Sequence, residues 1–254
     1  MTKITSTTEQ QTPHNVLQIE QLLGKTDSHI HWINEKVGVH HKMLAAYQQM
    51  QAAAEQDNIT LRIASGYRDF DRQLAIWNNK YLANTPVKDQ AGNNVDLTLL
   101  TASEKINAIS LYSALPGASR HHWGTDIDVY APNLLPKEQS LQLEPWEYAP
   151  TGPFATLTRW LEKYSEDFGF YFPYDTYRQG IAAEPWHLSY FPLANSFEQQ
   201  LNVEVLACQL SKSAIEGKAE IIHHLDYIYK QFVTNINHTV TKNMTNNMTK
   251  TREI

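Results

Sequence analysis

The residues from Ser119 to Asp128 are of the types that bind metal ions, since this short stretch holds two histidines, two aspartates and a glycine. His121 and Asp128 stand seven positions apart, a spacing that suits a loop running into a strand and does not suit neighbours on one helix face. A third ligand is expected from Glu184-Pro185-Trp186-His187, where a carboxylate precedes a histidine. Two imidazoles and one carboxylate are a ligand set expected for catalytic zinc, which leaves a position open for water and a glutamate free to act as a base.

The overall composition is that of a globular protein and excludes some classes of function. The chain has 254 residues, 42% of them hydrophobic and 19% charged, which is enough for one sizeable domain with a buried core. Its net charge is −6 and it has no stripe of Lys and Arg, so nucleic acid is not an expected partner. The single cysteine, Cys208, excludes an intramolecular disulfide and gives no indication of an oxidising compartment.

Three ranges differ in composition along the chain. Residues 1–13 form a polar lead-in rich in Thr and Gln, residues 14–234 carry the patterns of one folded domain, and residues 235–254 have the low complexity of a disordered tail. The lead-in lacks the apolar core of a secretory signal, and no run of about 18 apolar residues occurs that could span a membrane. If the sequence is the native full length, a cytoplasmic protein is expected.

Two predicted strands lead to the residues with chemistry. Residues 59–64 alternate apolar and polar side chains and end in the turn Ser65-Gly66-Tyr67-Arg68, which places Tyr67 and Arg68 at the mouth of a strand. Gln73 then lies near the first turn of a helix. In the second strand Ile127 and Val129 alternate with two aspartates, so that one face packs on the core while the other faces a site.

Helical spacing predicts the elements that support these strands. Apolar residues recur at three and four positions over Val39–Gln56 and again over Leu157–Phe168, and a further helix is expected across residues 221–229 near the C-terminus. His40 and His41 would lie at the start of the first of these helices. Adjacent helical side chains point about 100° apart, so we expect this pair to be solvent-exposed and not to bind a metal.

Three motifs together resemble one enzyme family. They are Ser65-Gly66-Tyr67-Arg68 with Gln73, Ser119-x-His121-x-x-Gly124-x-x-x-Asp128, and Glu184-Pro185-Trp186-His187. Their order is that of the VanY-like D-alanyl-D-alanine carboxypeptidases and related LAS-type zinc peptidases, which the chain resembles from about residue 40 to 192. The resemblance implies an α+β fold, with a small central antiparallel sheet flanked by helices and zinc at the sheet's mouth. The C-terminal helix would be an addition.

The resemblance also implies roles for individual residues. His121, Asp128 and His187 match the zinc ligands, Glu184 matches the catalytic base, and Arg68 matches an arginine that orients substrate or stabilises an oxyanion. A permanently charged, fork-shaped guanidinium suits an oxyanion or the terminal carboxylate of a peptide. Further substrate-binding candidates are Gln73, Ser119, Tyr67 and Trp186. Trp186 and Trp123 each fit the core as well as a pocket wall.

The sequence leaves open the roles of two residues near the predicted ligands, Asp126 and His122. Family members commonly have a small residue where this chain has Asp126, which shares a strand face with Asp128 and could hydrogen-bond a ligand histidine or be a ligand itself. His122 competes with His121, or lines the substrate groove beside Trp123. A structural zinc site is a further alternative, but such sites are usually closed by four ligands, often cysteines.

The predicted function is a zinc carboxypeptidase that removes a terminal D-alanine from peptidoglycan stem peptides. We expect an L,D-carboxypeptidase acting on tetrapeptide muropeptides in cytosolic cell-wall recycling, because destroying precursors that end in D-Ala-D-Ala would harm the cell. Acidic residues such as Asp126 are compatible with holding the ammonium of a diamino acid. A D,D-carboxypeptidase, a peptidoglycan endopeptidase and a zinc-stabilised binding domain without catalysis are the alternatives, and the presence of Glu184 argues against the last.

Overall fold

A computed structural model of the chain describes residues 13–238, with side chains from residue 18. Its strands are β1 Ile30–Trp32, β2 Gly38–His40, β3 Arg62–Ser65, β4 Asp126–Tyr130, β5 Phe170–Tyr171 and β6 His187–Tyr190. Four of them form one antiparallel sheet in the order β3-β4-β6-β5, and β1 pairs with β2 in a separate antiparallel ribbon. With helices on both sides of this small sheet, the expected α+β fold class is confirmed.

The helices connect and cover the strands. They are α1 Pro13–Leu22, α2 Leu44–Gln56, α3 Phe70–Tyr81, α4 Ala102–Ser110, α5 Pro145–Tyr148, α6 Ala155–Tyr164, α7 Phe191–Gln200, α8 Val203–Lys212, α9 Lys218–His223 and α10 Leu225–Ile228. Local sequence sets several of their starts. Asp69 caps α3 by accepting a hydrogen bond from the Arg72 amide, and Thr101 and Glu104 form a reciprocal capping box on α4.

Strand β4 lies inside the sheet and separates the core from the site. Ile127 and Val129 are fully buried and pack with side chains of α2 and α6, among them Met50, Leu157 and Leu161. Because successive side chains of a strand point to opposite faces, Asp126 and Asp128 share the other face. The alternation read from the sequence therefore places both carboxylates away from this core.

A second apolar cluster holds the other layer of helices together. It joins α3, α4 and the C-terminal helices through buried residues such as Trp77, Ile109, Leu206, Leu210 and Ile221. Where one extra C-terminal helix was expected, the chain forms α7 to α10, since the helical geometry is interrupted at Leu201–Asn202 and again between Ser213 and Gly217.

The helix predicted over Val39–Gln56 begins only at Leu44, which corrects its start. The residues before it form β2 and pair with β1, and the His40 amide donates to the Gly124 carbonyl at 2.7 Å. These partners lie far away in the sequence, so helical periodicity could not reveal them. As a result His40 is only 6% exposed, against the expectation of a solvated side chain, whereas His41 is exposed.

The ends of the domain differ slightly from their predicted positions. Pro13 already belongs to α1, and the chain remains packed past residue 234, because Ile236 is buried and the Asn237 amide donates to the Pro173 carbonyl at 2.8 Å. The remainder of the predicted lead-in and tail, residues 1–12 and 239–254, lies outside the described residues. Within residues 13–238, every helix is too short or too polar to cross a bilayer.

Candidate metal centre and active site

His121 is presented by a tight turn ahead of β4. Residues Arg120–Trp123 form one 3-10 turn that ends at Gly124, whose φ of 66° favours glycine. A Cβ at Gly124 would lie 2.9 Å from the His40 backbone nitrogen, so the space also requires glycine. Nδ1 of His121 donates to the Gly66 carbonyl at 2.8 Å. Because a carbonyl only accepts, this bond fixes the tautomer and leaves Nε2 with a lone pair for a metal.

The register of β4 and β6 supplies the other two ligand candidates. Asp128 is paired directly with His187 across the two strands. Nδ1 of His187 lies 3.2 Å from Asp128 Oδ1, and Nε2 of His121 lies 3.5 Å from Asp128 Oδ2. One ligand atom from each of the three residues falls within 4.8 Å of the others. The structure thus brings together the three residues that the sequence predicted as ligands.

The chemistry of these atoms fits a divalent cation. Asp128 Oδ1 and His187 Nδ1 are buried and face each other without a hydrogen bond to any described group. Buried polar atoms in proteins are rarely left without a partner. Two imidazole nitrogens and one carboxylate oxygen would satisfy both atoms by holding zinc and leave a fourth position open. The ligand set therefore fits a catalytic site and differs from a closed structural one.

Burial and neighbouring charges set the protonation of the ligands. Burial lowers the pKa of His121 to about 4 despite the opposing effect of Asp128, so its imidazole is neutral at pH 7. Burial raises the pKa of Asp128, but His121 and His187 outweigh it and hold that pKa below its usual value. Burial likewise lowers the pKa of His187, whereas the neighbouring carboxylates of Asp126, Asp128 and Glu184 raise it well above 6.5. The carboxylates that favour a proton on His187 equally favour a metal cation, which competes with that proton.

Glu184 lies beside the ligands in the turn before β6. The His187 amide donates to the Glu184 carbonyl at 3.0 Å, and the carboxylate Oε2 lies 3.3 Å from His187 Nδ1. Burial raises the pKa of Glu184 above its ordinary value, although His187 opposes the shift. A carboxylate with a raised pKa beside a metal site suits general base catalysis.

Arg68 is held rigidly at the end of β3. Its Nη1 donates to Gln73 Oε1 at 2.8 Å and its Nη2 donates to Ser65 Oγ at 3.2 Å, while Nε is buried without a described partner. Gln73 is itself anchored, because its Nε2 donates to the Ala114 carbonyl at 2.7 Å. Gln73 is fully buried, hydrogen-bonds Arg68 and is not part of the cavity wall, so the structure places it behind Arg68.

One cavity of about 340 Å³ joins these groups. Its wall includes the expected residues Arg68, Ser119, His121, Asp128, Glu184, Trp186 and His187. It also includes Lys80, Tyr112, Glu144 and Tyr174, which sequence reasoning missed because they belong to no motif and come from separate elements. Their only signal was a position near the end of a helix or in an irregular segment.

Two aromatic candidates lie away from the open part of the cavity. The Tyr67 hydroxyl donates to the Thr26 carbonyl at 3.1 Å, and Tyr67 is not part of the cavity wall. Trp123 is buried, and its indole nitrogen donates to the Leu22 carbonyl at 3.1 Å, so it is a core residue. Trp186 both packs on the core and lines the cavity.

The two rivals for the ligand shell have other partners. Nε2 of His122 accepts a hydrogen bond from the Gly117 amide at 2.9 Å, and its Nδ1 donates to the Arg68 carbonyl at 2.6 Å. His122 thus has both ring nitrogens hydrogen-bonded and no exposed surface, and it belongs neither to the metal-capable cluster nor to the cavity wall. Asp126 accepts a hydrogen bond from His187 Nε2 at 3.0 Å and is outside the ligand cluster.

Comparison with known proteins gives a consistent assignment. The family model described as VanY, D-alanyl-D-alanine carboxypeptidase, matches residues 36–193. An uncharacterised protein of Haemophilus influenzae is 40% identical over 121 residues, which cover 47% of this chain and 92% of that protein. A D-alanyl-D-alanine carboxypeptidase of Enterococcus faecalis is 30% identical over 146 residues, or 56% of this chain and 44% of that enzyme.

Among solved structures, the vancomycin-resistance D,D-pentapeptidase VanY, as a mutant in complex with Zn(II), has a TM-score of 0.46 at 24% identity and covers 70% of this chain and 88% of its own. The family match extends over more than half of the sequence and contains all three ligand candidates, Glu184 and Arg68. This chain therefore belongs to the VanY family of D-alanyl-D-alanine carboxypeptidases.

Proposed function

We propose that this protein is a zinc-dependent L,D-carboxypeptidase that removes the terminal D-alanine from tetrapeptide stems of peptidoglycan. The observation that carries the proposal is the cluster of His121, Asp128 and His187, with Glu184 against His187 and Arg68 in the same cavity. These are the metal-binding and charged groups that metal-assisted hydrolysis of a peptide bond uses.

Each residue has a distinct task in this proposal. Zinc held by the three ligands would supply a Lewis acid for the peptide carbonyl and would acidify water. Glu184 takes a proton from the attacking water and passes it to the leaving amine. Arg68 stabilises the negative charge that develops on the carbonyl oxygen, or holds the substrate's terminal carboxylate, because its guanidinium carries a fixed charge and Arg68 lines the cavity.

A second cation in the cavity supports an exopeptidase over an endopeptidase. Lys80 donates a hydrogen bond from Nζ to Ser113 Oγ at 2.6 Å. No carboxylate lies within ion-pair distance of Lys80 in the described part of the chain. Burial lowers the pKa of Lys80, with Arg68 adding to this effect. The terminal carboxylate of a substrate would pair with Arg68 and Lys80, which both line the cavity.

The acidic group available for a diamino acid is Glu144 and not Asp126. Asp126 is compatible with holding an ammonium by its charge alone, but it has no exposed surface and is not part of the cavity wall. Glu144 lines the cavity and forms an ion pair with Lys88 at 2.5 Å. The bond from Lys88 uses only Oε1 of Glu144, and a carboxylate accepts several hydrogen bonds, so Glu144 can also accept from the ammonium of a diamino acid. A site built for such a group discriminates against alanine, which would leave the polar groups unpaired.

The direct test is incubation of the purified protein with defined tetrapeptide and pentapeptide muropeptides, followed by mass spectrometry. We expect loss of one D-alanine from the tetrapeptide, abolished by a chelator and by Glu184→Gln. Glu144→Gln should slow the tetrapeptide reaction about tenfold or more, since a hydrogen bond to a charged group contributes about 1.5 kcal/mol or more. Faster release from the pentapeptide would favour the D,D-carboxypeptidase, and an internal cut would favour the endopeptidase.

A matched pair of substrates separates recognition of the chain end from chemistry. The tetrapeptide amide keeps the scissile bond but lacks the terminal negative charge, so kcat/KM should fall at least tenfold, which is about 1.4 kcal/mol. Equal rates on acid and amide would contradict the exopeptidase assignment. The recycling role further requires the native protein in the cytosol, and fractionation of cells carrying a tagged chromosomal copy tests that location.

A further inference from the structure

A buried ion pair behind the metal cluster involves two residues that no motif explains. Arg120 Nε donates to Asp126 Oδ1 at 2.7 Å, and both side chains are almost completely removed from solvent. Asp126 is a departure from the family pattern, and Arg120 directly precedes the ligand candidate His121 in the sequence.

The Asp126 carboxylate is fully hydrogen-bonded. Its Oδ1 accepts from Arg120 Nε and from His187 Nε2, the latter at 3.0 Å. Its Oδ2 accepts from Thr125 Oγ1 at 2.7 Å and from Ser189 Oγ at 3.1 Å. A carboxylate with this many donors on both oxygens has one orientation, and so does any group that hydrogen-bonds to it.

The strand register explains why this carboxylate reaches the back of a ligand. Asp126 is paired with Ser189 and Asp128 is paired with His187 across β4 and β6. His187 therefore lies between two carboxylates, with Nδ1 toward Asp128 and Nε2 toward Asp126. Nε2 carries the proton and donates a hydrogen bond to Asp126. The lone pair of Nδ1 therefore points toward Asp128 and the candidate metal site.

Arg120 connects this arrangement to the surrounding fold. Its Nη2 donates to Ser189 Oγ at 2.8 Å and to the Tyr171 hydroxyl at 3.1 Å, its Nη1 donates to Glu198 Oε2 at 3.1 Å, and its guanidinium carbon lies 4.8 Å from the Trp123 ring centre. These contacts tie β5, β6 and α7 to the turn that carries His121. The positive charge of Arg120 also offsets the additional carboxylate beside the ligands.

We propose that Asp126 and Arg120 are positioning residues that hold His187 in its metal-binding orientation and tautomer. The inference rests on the proposed zinc site. Arg120 acts through Asp126, since it contacts the carboxylate and not the ligand. Groups that hydrogen-bond to a ligand histidine typically change metal affinity by about 10- to 100-fold.

The test measures zinc affinity of the full chain by competition with a chromogenic chelator, without any substrate. We expect Asp126→Ala, which introduces the small residue common in the family, to weaken zinc binding at least about tenfold. Ser189→Ala removes one hydrogen bond to the other carboxylate oxygen and one from Arg120 but leaves the bond between Asp126 and His187 in place, so it should weaken zinc binding less. Asp71→Ala, in an exposed ion pair with Lys25, is the matched control and should bind as the wild type does. The cobalt-substituted Asp126→Ala protein should also have a shifted visible absorption spectrum, which a loss of stability alone would not produce.

A double-mutant cycle tests the role of Arg120. Arg120→Met should weaken zinc binding in the wild-type background but change it less than about twofold in Asp126→Ala, because contacting residues couple. If Asp126→Ala fails to fold, the smaller change Asp126→Asn carries the same affinity and cobalt measurements. Wild-type affinity with an unchanged cobalt spectrum in the folded Asp126 variants would overturn the inference while leaving the proposed function intact. A wild-type chain that binds no zinc would instead defeat the proposed function.

Discussion

Two groups of buried histidines in this protein have opposite surroundings. His121 and His187 face Asp128, and their rings lie 4.9 Å apart. His29 and His40 lie 5.4 Å apart in the ribbon of β1 and β2 and the segment before it. No carboxylate lies within ion-pair distance of this second pair in residues 18–238, and both ring nitrogens of His29 are buried without a described partner.

The difference teaches that burial alone does not make a histidine a metal ligand. Burial lowers the pKa of His29 to about 4 and that of His40 to about 3, so both pack as neutral aromatic groups. In the candidate metal site one nitrogen of each imidazole donates a hydrogen bond. His121 donates to the Gly66 carbonyl, and His187 donates to the Asp126 carboxylate. The other nitrogen is thereby directed toward Asp128. The two groups therefore differ in the orientation of their ring nitrogens and in the carboxylate of Asp128, which only His121 and His187 share.

The largest difference between the two groups is expected when one imidazole is removed from each. His187→Ala should lose bound zinc and lower kcat/KM at least about a thousandfold, since metal and ligands act as a unit. His40→Asn should keep one zinc per chain. Elemental analysis and peptide hydrolysis measure both variants. Full zinc retention in alanine variants of His121, Asp128 and His187 would contradict the ligand assignment.

The next largest effect concerns the base beside the metal cluster. Glu184→Gln keeps the shape of the side chain but cannot accept a proton, so kcat should fall roughly a hundredfold or more while fold and zinc content are retained. Stopped assays on the tetrapeptide and elemental analysis measure the two quantities. A near wild-type rate would mean that a different group is the base.

Arg68 allows a test of the fixed positive charge beside the candidate metal site. Arg68→Ala removes the fixed cation and should lower kcat/KM about a hundredfold. Arg68→Lys restores charge without the planar fork and should recover only part of the loss. Steady-state kinetics of the two variants separate charge from geometry, and identical kinetics of Arg68→Lys and wild type would exclude a bidentate role.

The smallest expected effect concerns stability at the second histidine group. The pKa of His29 is lowered in the folded state, so His29 contributes nothing above pH 6.5 and costs stability as pH falls from 6.5 to about 4. Protonation of His29 should lower the free energy of unfolding by about 2 kcal/mol between pH 7.5 and pH 5.

Urea unfolding at the two pH values measures this loss. His29→Phe should show a correspondingly smaller decrease than the wild type, because a phenyl ring cannot be protonated in either state. His31→Phe changes an exposed histidine of the same ribbon and should leave the decrease unchanged. An unaltered pH dependence in His29→Phe would show that this imidazole is not the acid-sensitive group.

By itself the sequence determined the residue types, their order and the periodic elements. The spacing of His121 and Asp128, the pattern of β4, the stripe of α6 and the capping box at Thr101 are local features, and local geometry depends on residues a few positions apart. That is why the elements and the candidate ligands could be predicted from local patterns, whereas the fold class followed from the family resemblance that the three motifs carry.

Only the tertiary structure decided which of several similar side chains meet. His121 and His122 are neighbours in one turn, yet the first faces Asp128 and the second is hydrogen-bonded on both nitrogens. The sequence allows Asp126 as a ligand, but its register with Ser189 places it behind His187, where it accepts a hydrogen bond from Nε2. Such contacts join strands and loops that are distant in the chain, and their geometry follows from packing and strand register, which no local pattern encodes.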